Sequence, residues 1–158
     1  MRRAGTLRVA PDTVLVRAVG AALEAAGAPM PGGVTVVLTD DAELAELNHE
    51  HLGHDGPTDV LSFPMLPPEA FPARRTRRAA AGQRAPRIHI GDIAISVERA
   101  VEQAVQGRGG QTGDVRWSPA DELRLLVTHG TLHLCGRDHA NREDERAMRS
   151  LEQALLRS

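Results

Sequence analysis

Three histidines recur at H-x3-H-x5-H spacing in the stretch His129-Gly130-Thr131-Leu132-His133-Leu134-Cys135-Gly136-Arg137-Asp138-His139. Nothing else in the chain restricts the fold as much. An α-helix turns ~100° and rises ~1.5 Å per residue, so residues four apart stand one turn apart on the same face. Within a helix, His129 and His133 can therefore hold one ion from the same side. Gly136 can leave that helix in a left-handed conformation without a Cβ penalty. The chain then turns, and His139 can approach the same ion from another direction. Three imidazoles and one open position suit a catalytic zinc, since a structural zinc is normally closed by a fourth protein ligand. The expected ligands of a single Zn2+ are His129, His133 and His139; nickel, cobalt or iron would also accept three imidazoles.

The same spacing and glycine occur in H-E-x-x-H-x-x-G-x-x-H metalloproteases, where the glutamate after the first histidine takes a proton from the metal's water. Here that residue is Gly130, which has no side chain to do so. Peptidase chemistry is thereby disfavoured while the metal cage is kept. Asp138, just before the third ligand, is the candidate acid–base group, with support of a ligand imidazole as its favoured role. Cys135 lies about 200° round the helix from His133 and is expected to be a small core residue. His49, His51 and His54 fall at the end of a helix and in its loop, where solvent exposure is the simpler expectation. His89 and Trp117 read as structural.

The rest of the chain supplies a frame for this helix. Apolar residues recur at Val14, Leu15, Ala18, Val19, Ala22, Leu23 and Ala26, one helical stripe that Gly27 and Pro29 end. The β-branched run 34–39 reads as a buried strand, and a second helix capped by Thr39 or Asp40 runs to about His51. Short strands are expected at 59–63 and at 88–95, the latter interrupted at Gly91-Asp92. Ser96 caps a helix to about Gln106 whose stripe is Val97, Ala100, Val101, Ala104 and Val105. Ser118 caps the histidine helix, with Pro119 in its first turn and Asp121 and Glu122 at its positive dipole end. Asn141 caps the last helix, where Met148, Leu151 and Leu155 face inward. This order predicts an α+β (α/β-like) domain: a small, mostly parallel sheet packed with about five helices, one of them a metalloprotease-like zinc-binding helix.

With 158 residues the chain suits a single domain, 1–158, with its own core. That core must be built from Ala, Leu and Val, because there are only two Phe, one Trp and no Tyr. One cysteine excludes an internal disulfide and suits a reducing, cytoplasmic setting. No signal peptide or long apolar span is evident, so no membrane partner is expected. The net charge of -2 does not by itself suggest nucleic acid. Its distribution is more telling: Arg74, Arg75, Arg77, Arg78, Arg84 and Arg87 crowd into 74–87 with no acid among them, within a proline-rich surface loop at about 64–87.

The pattern His129-Gly-x-Leu-His133-Leu-x-Gly-x-Asp138-His139 resembles the signature of the YbeY family of rRNA maturation factors. Further blocks match in order: Leu47-Asn48, then Pro57-Thr58-Asp59-Val60-Leu61-Ser62-Phe63-Pro64, then Gly91-Asp92-Ile93 before Ile95-Ser96, and finally Met148. The resemblance spans about residue 34 to the end. It implies a cytoplasmic, zinc-dependent endoribonuclease acting on single-stranded RNA. The implied partners are 16S rRNA, whose 3′ end is matured, and the small ribosomal subunit with its assembly factors in late 30S/70S quality control.

Several positions depart from the family pattern. Many members carry Tyr-Arg where this chain has His51-Leu52, and that arginine is held to act on RNA; leucine cannot pair with phosphate. The stretches 64–90 and 107–117 are longer than usual. Gly-Tyr-Asp-His reads Gly136-Arg137-Asp138-His139, which makes Arg137 a candidate replacement for the missing phosphate-binding charge. Hydrolytic RNA cleavage assisted by zinc is the leading expectation. A ribosome-binding assembly factor with a mainly structural zinc is the second, and a metalloprotease drawing its base from elsewhere is the third.

Overall fold

The computed structural model describes residues 12–56, 58–73, 86–106, 117–138 and 140–157. Their order is α1 (Asp12–Ala25), β1 (Gly32–Thr39), α2 (Asp41–Leu52), β2 (Val60–Pro64), a 3-10 turn (Pro68–Ala70), β3 (Ile88–Ser96), α3 (Val97–Gln106), α4 (Pro119–Leu134) and α5 (Arg142–Arg157). The arrangement is α+β, with five α-helices and a three-stranded sheet among the described residues.

The sheet is mixed rather than mostly parallel. Its order is β1-β3-β2, with β1 parallel and β2 antiparallel to β3. A parallel neighbour needs a crossover, which α2 and β2 supply between β1 and β3. Between β2 and β3 the described residues hold only the 3-10 turn, and the two strands run in opposite directions. The expected interruption of β3 at Gly91-Asp92 is a bulge instead: Gly33 faces His89 and Val34 faces Gly91, leaving Ile90 extra. Gly91 is required by close approach, because a Cβ there would stand 2.5 Å from the Phe63 carbonyl oxygen and 2.7 Å from Leu134 Cδ2.

The alternation of the strands divides the interior in two. Leu61 and Ala94, with Phe63 at their margin, meet Leu44 and Leu47 of α2 on one face. Ile93 and Ile95 on the other face join Leu123, Leu126, Val127 and Leu132 of α4 in the main core, which Leu15, Ala22, Leu23 and Ala26 of α1 complete. Helix α4 touches α1, α3, α5, β2 and β3. A helix so enclosed is apolar nearly all round, and burying each leucine is worth roughly 1.5–3 kcal/mol. In α3 the contact line runs through Ala100 and Ala104; Val105, about 100° further round, is 84% exposed.

Caps set the start of α4. Ser118 Oγ accepts from the Asp121 amide at 3.2 Å while Asp121 Oδ2 accepts from the Ser118 amide at 2.9 Å, a reciprocal capping box. Glu122, expected at the exposed dipole end, is instead fully buried and accepts from Trp117 Nε1 at 2.7 Å. Trp117 is thus a structural residue. Asn141 Oδ1 accepts from the Asp144 amide at 2.9 Å and caps α5.

Candidate metal centre

His129 and His133 lie one turn apart in the C-terminal half of α4, where the apolar face is spent on the core and their half-buried rings face outward. Their Nε2 atoms approach to 3.0 Å, with the rings at 71°. Two nitrogens each ~2.0–2.1 Å from one tetrahedral zinc would be about 3.3–3.4 Å apart, so a shift of a few tenths of an ångström suits the pair to a shared ion. His139, the expected third ligand, lies outside the described residues; among those described, no three His, Cys, Asp or Glu side chains form a metal-binding group.

The chain leaves α4 as the glycine spacing predicts. Gly136 has φ 79°, its amide donates to the His133 carbonyl at 3.1 Å, and the Arg137 amide donates to the Leu132 carbonyl at 3.0 Å. This crossed pair is a Schellman stop, and a left-handed residue at its centre favours glycine. Arg137 and Asp138 follow immediately, both exposed. Cys135 is buried, and burial pushes its thiol up to about 11 against a smaller lowering by Arg137, so it is a core residue as expected.

The two histidines form part of an open cleft of about 420 Å³, whose other walls are Leu52, Asp59, Val60, Leu61, Ser62 and Pro64. Asp59, Val60, Leu61, Ser62 and Pro64 of the matching block therefore share one cavity with the histidine pair. Hydrogen bonds hold the elements that form these walls. Ser62 Oγ donates to the Gly130 carbonyl at 3.1 Å, tying β2 to α4. Buried Asn48 donates through Nδ2 to the Gly56 carbonyl at 3.3 Å, holding the turn after α2. Gly53, with φ 65°, ends α2 so that Leu52 reaches the cleft rim at 51% exposure. Leucine thus gives this wall a neutral, apolar side chain.

Gly130 has a structural reason as well as a chemical consequence. A Cβ there would stand 3.1 Å from both Ile93 Cγ2 and Ser62 Oγ. Any side chain here would require Ile93 and Ser62 to give by a few tenths of an ångström, and glycine itself offers no proton acceptor of the protease pattern.

Among the described residues the other histidines stay out of the cleft. His49 Nδ1 pairs with Asp55 at 2.8 Å, His51 packs edge-on against Phe63 at 5.2 Å, and His54 is exposed beyond the helix stop. His89 pairs with Asp92 at 2.9 Å on the strand surface. The arginines at 74, 75, 77, 78 and 84 lie outside the described residues.

Two site residues escaped the sequence reading. Asp59 enters the sequence analysis as the start of a strand and as part of a matching block, with no role of its own, yet it lines the cleft and accepts from Gln103 Nε2 at 3.2 Å. Glu152 on α5 pairs with His129 Nδ1. A signal for the second exists: Met148, Leu151, Glu152 and Leu155 fall at i, i+3, i+4 and i+7. An acid inside an inward stripe needs a buried partner.

The family model "Endoribonuclease YbeY" matches residues 9–158. The chain belongs to the YbeY family. A relative named endoribonuclease YbeY from Salinispora tropica is 43% identical over 93% of this chain and 87% of its own length. Another of that name, from Chloroflexus aggregans, is 39% identical over 94% and 88%. The fold resembles a Thermotoga maritima protein solved in solution, with TM-score 0.58 and 22% identity over 97% of this chain and 83% of that one. The family match begins well before residue 34, where the resemblance read from the sequence starts, and so takes in α1.

Proposed function

We propose that this chain is a zinc-dependent endoribonuclease that cleaves single-stranded RNA hydrolytically. The observation that carries the proposal is the convergence of the His129 and His133 Nε2 atoms, 3.0 Å apart, beside an open cleft. Family membership supports RNA as the substrate, and the lack of a side-chain base at Gly130 weighs against peptidase chemistry. His129, His133 and His139 would hold the ion. When bound, zinc supplies Lewis acidity that polarises a phosphoryl oxygen and lowers the pKa of water to about 7.

The chain's own side chains supply the rest. Arg137, exposed just past the Gly136 turn, offers a bidentate fork for phosphate in place of the arginine that Leu52 replaces. Asp138 orients a ligand imidazole or carries a proton beside it. In the cell the proposed substrate is 16S rRNA, matured at its 3′ end on the small ribosomal subunit in the cytoplasm. No described helix is long and apolar enough to cross a membrane.

The test is metal analysis of the purified protein together with an assay on single-stranded rRNA fragments, comparing wild type with His133→Ala. About one zinc per chain and cleavage that disappears in a folded variant are expected. Cyclic 2′,3′-phosphate ends on the products would rule out attack by water, since they require the RNA's own 2′-hydroxyl. A second reading, an assembly factor with a structural zinc, is favoured by Leu52 in the cleft wall. It predicts RNA binding without cleavage and unfolding on metal removal.

A further inference from the structure

Glu152 stands in α5, 23 residues from His129 in sequence, and its carboxylate pairs with His129 Nδ1. Its side chain is only 12% exposed. The flanking residues hold it there: Met148 is buried in the main core, and Leu151 and Leu155 pack against that core from the same face of α5. A glutamate kept in an apolar stripe loses water on most sides, and the histidine N–H is a partner that offsets this. The neighbouring Arg149 is turned toward Glu145 instead, at 3.1 Å, and both are largely exposed.

The pairing has a consequence for the other ring nitrogen. An ionised carboxylate can only accept, so the proton of a neutral His129 imidazole sits on Nδ1. The lone pair then belongs to Nε2, the atom that faces His133 Nε2 at 3.0 Å. Removing Glu152 removes this constraint, and in the other tautomer Nε2 carries hydrogen and cannot ligate.

We infer that Glu152 is the positioning residue of the metal centre: it fixes the Nδ1–H tautomer and the ring orientation of His129, so that the docked C-terminal helix helps to set metal affinity. This rests on the metal reading of the histidine pair and adds to it a part for α5. Outer carboxylates of this type commonly change metal affinity by about 10–100-fold when removed. Glu152→Ala is expected to fall in that range. Glu152→Gln keeps an oxygen that can accept from Nδ1–H but loses the charge, so it should retain the tautomer and lose less affinity.

The experiment uses the full chain with 15N-labelled histidine, in wild type, Glu152→Ala and Glu152→Gln. Imidazole nitrogen shifts are read without metal and with zinc, and zinc affinity is measured by chelator competition. Circular dichroism checks folding, and Glu152→Gln serves if the alanine variant does not fold. Support consists of an Nδ1–H tautomer of His129 in zinc-free wild type, its loss in Glu152→Ala, and at least tenfold weaker zinc binding there. An Nε2–H tautomer in zinc-free wild type, or zinc affinity in folded Glu152→Ala within threefold of wild type, overturns the inference. If wild type itself binds no zinc, the metal reading fails and the inference falls with it. That outcome is distinct, because it shows before any variant is compared.

Discussion

The Gly130 carbonyl accepts from Ser62 Oγ at 3.1 Å, and at that point the histidine helix lies directly against the sheet. Glycine is what allows the approach, since any Cβ would press on Ile93 at 3.1 Å. Two effects oppose each other in Gly130→Ala. Helix propensity favours alanine by ~1 kcal/mol, whereas overpacking a filled core costs about 1–3 kcal/mol. Ile93 is β-branched and fully buried, so it yields little. A net loss on the order of 1 kcal/mol is expected in urea unfolding, with weaker zinc binding because His129 is displaced. A more stable variant would show that the contact is slack.

Leu52 lines the same cleft as His129 and His133, so a charge introduced there should reach an RNA backbone. Leu52→Arg is expected to improve cleavage of a single-stranded rRNA fragment by about tenfold, since a charge-assisted hydrogen bond is worth about 1.5–3 kcal/mol. Binding should also become more salt-sensitive, by roughly 0.7 in the slope of log affinity against log salt. An unchanged rate and slope would mean that RNA does not pass this wall.

The buried Cys135 thiol, with its pKa raised to about 11 by desolvation, should be inert. At pH 8, reaction with a disulfide reagent is expected to be far slower in the folded protein than in urea. The linkage runs in one direction. The folded pKa lies above the thiol's ordinary value of 9.0, so the contribution to stability is complete below pH 9 and is lost as pH rises from 9 to about 11. A rise of that size corresponds to at most roughly 3 kcal/mol, and Cys135→Ala should flatten that part of the stability profile. Rapid thiol modification at pH 8 under native conditions would contradict it.

Ser118→Ala removes the hydroxyl half of the capping box at the start of α4. A loss of about 1 kcal/mol is expected. For a chain of this size that lowers the melting temperature by roughly 2–4 °C. Zinc binding should barely change, because the histidines sit at the opposite end of the helix. A calorimetric scan with and without zinc checks both statements.

Local patterns account for how much could be read in advance. Every helix and strand in the described residues appears in the expected order, because stripes, caps and glycine stops act over a few residues. Gly136 is the sharpest case: its spacing from His133 announces the left-handed turn that the backbone adopts. Strand direction was not legible, and a mostly parallel sheet proved mixed. Short apolar runs look alike whichever way they pair, and the choice depends on connections that carry little periodicity. Asp59 escaped notice for a related reason, since nothing local to 59–63 says which cavity the strand's first residues will line.

The sequence by itself determined the histidine helix, its stop at Gly136, the absence of a base at position 130 and the family. Each of these is a matter of spacing within a few turns or of residue identity. Only the tertiary structure decided that Leu52 and Asp59 share a cleft with His129 and His133, that Gly130 is a packing requirement, and that Glu152 reaches His129 from the last helix. Those relations join residues tens of positions apart. They exist only because burial of the α4 core brings β2 and α5 against the same helix.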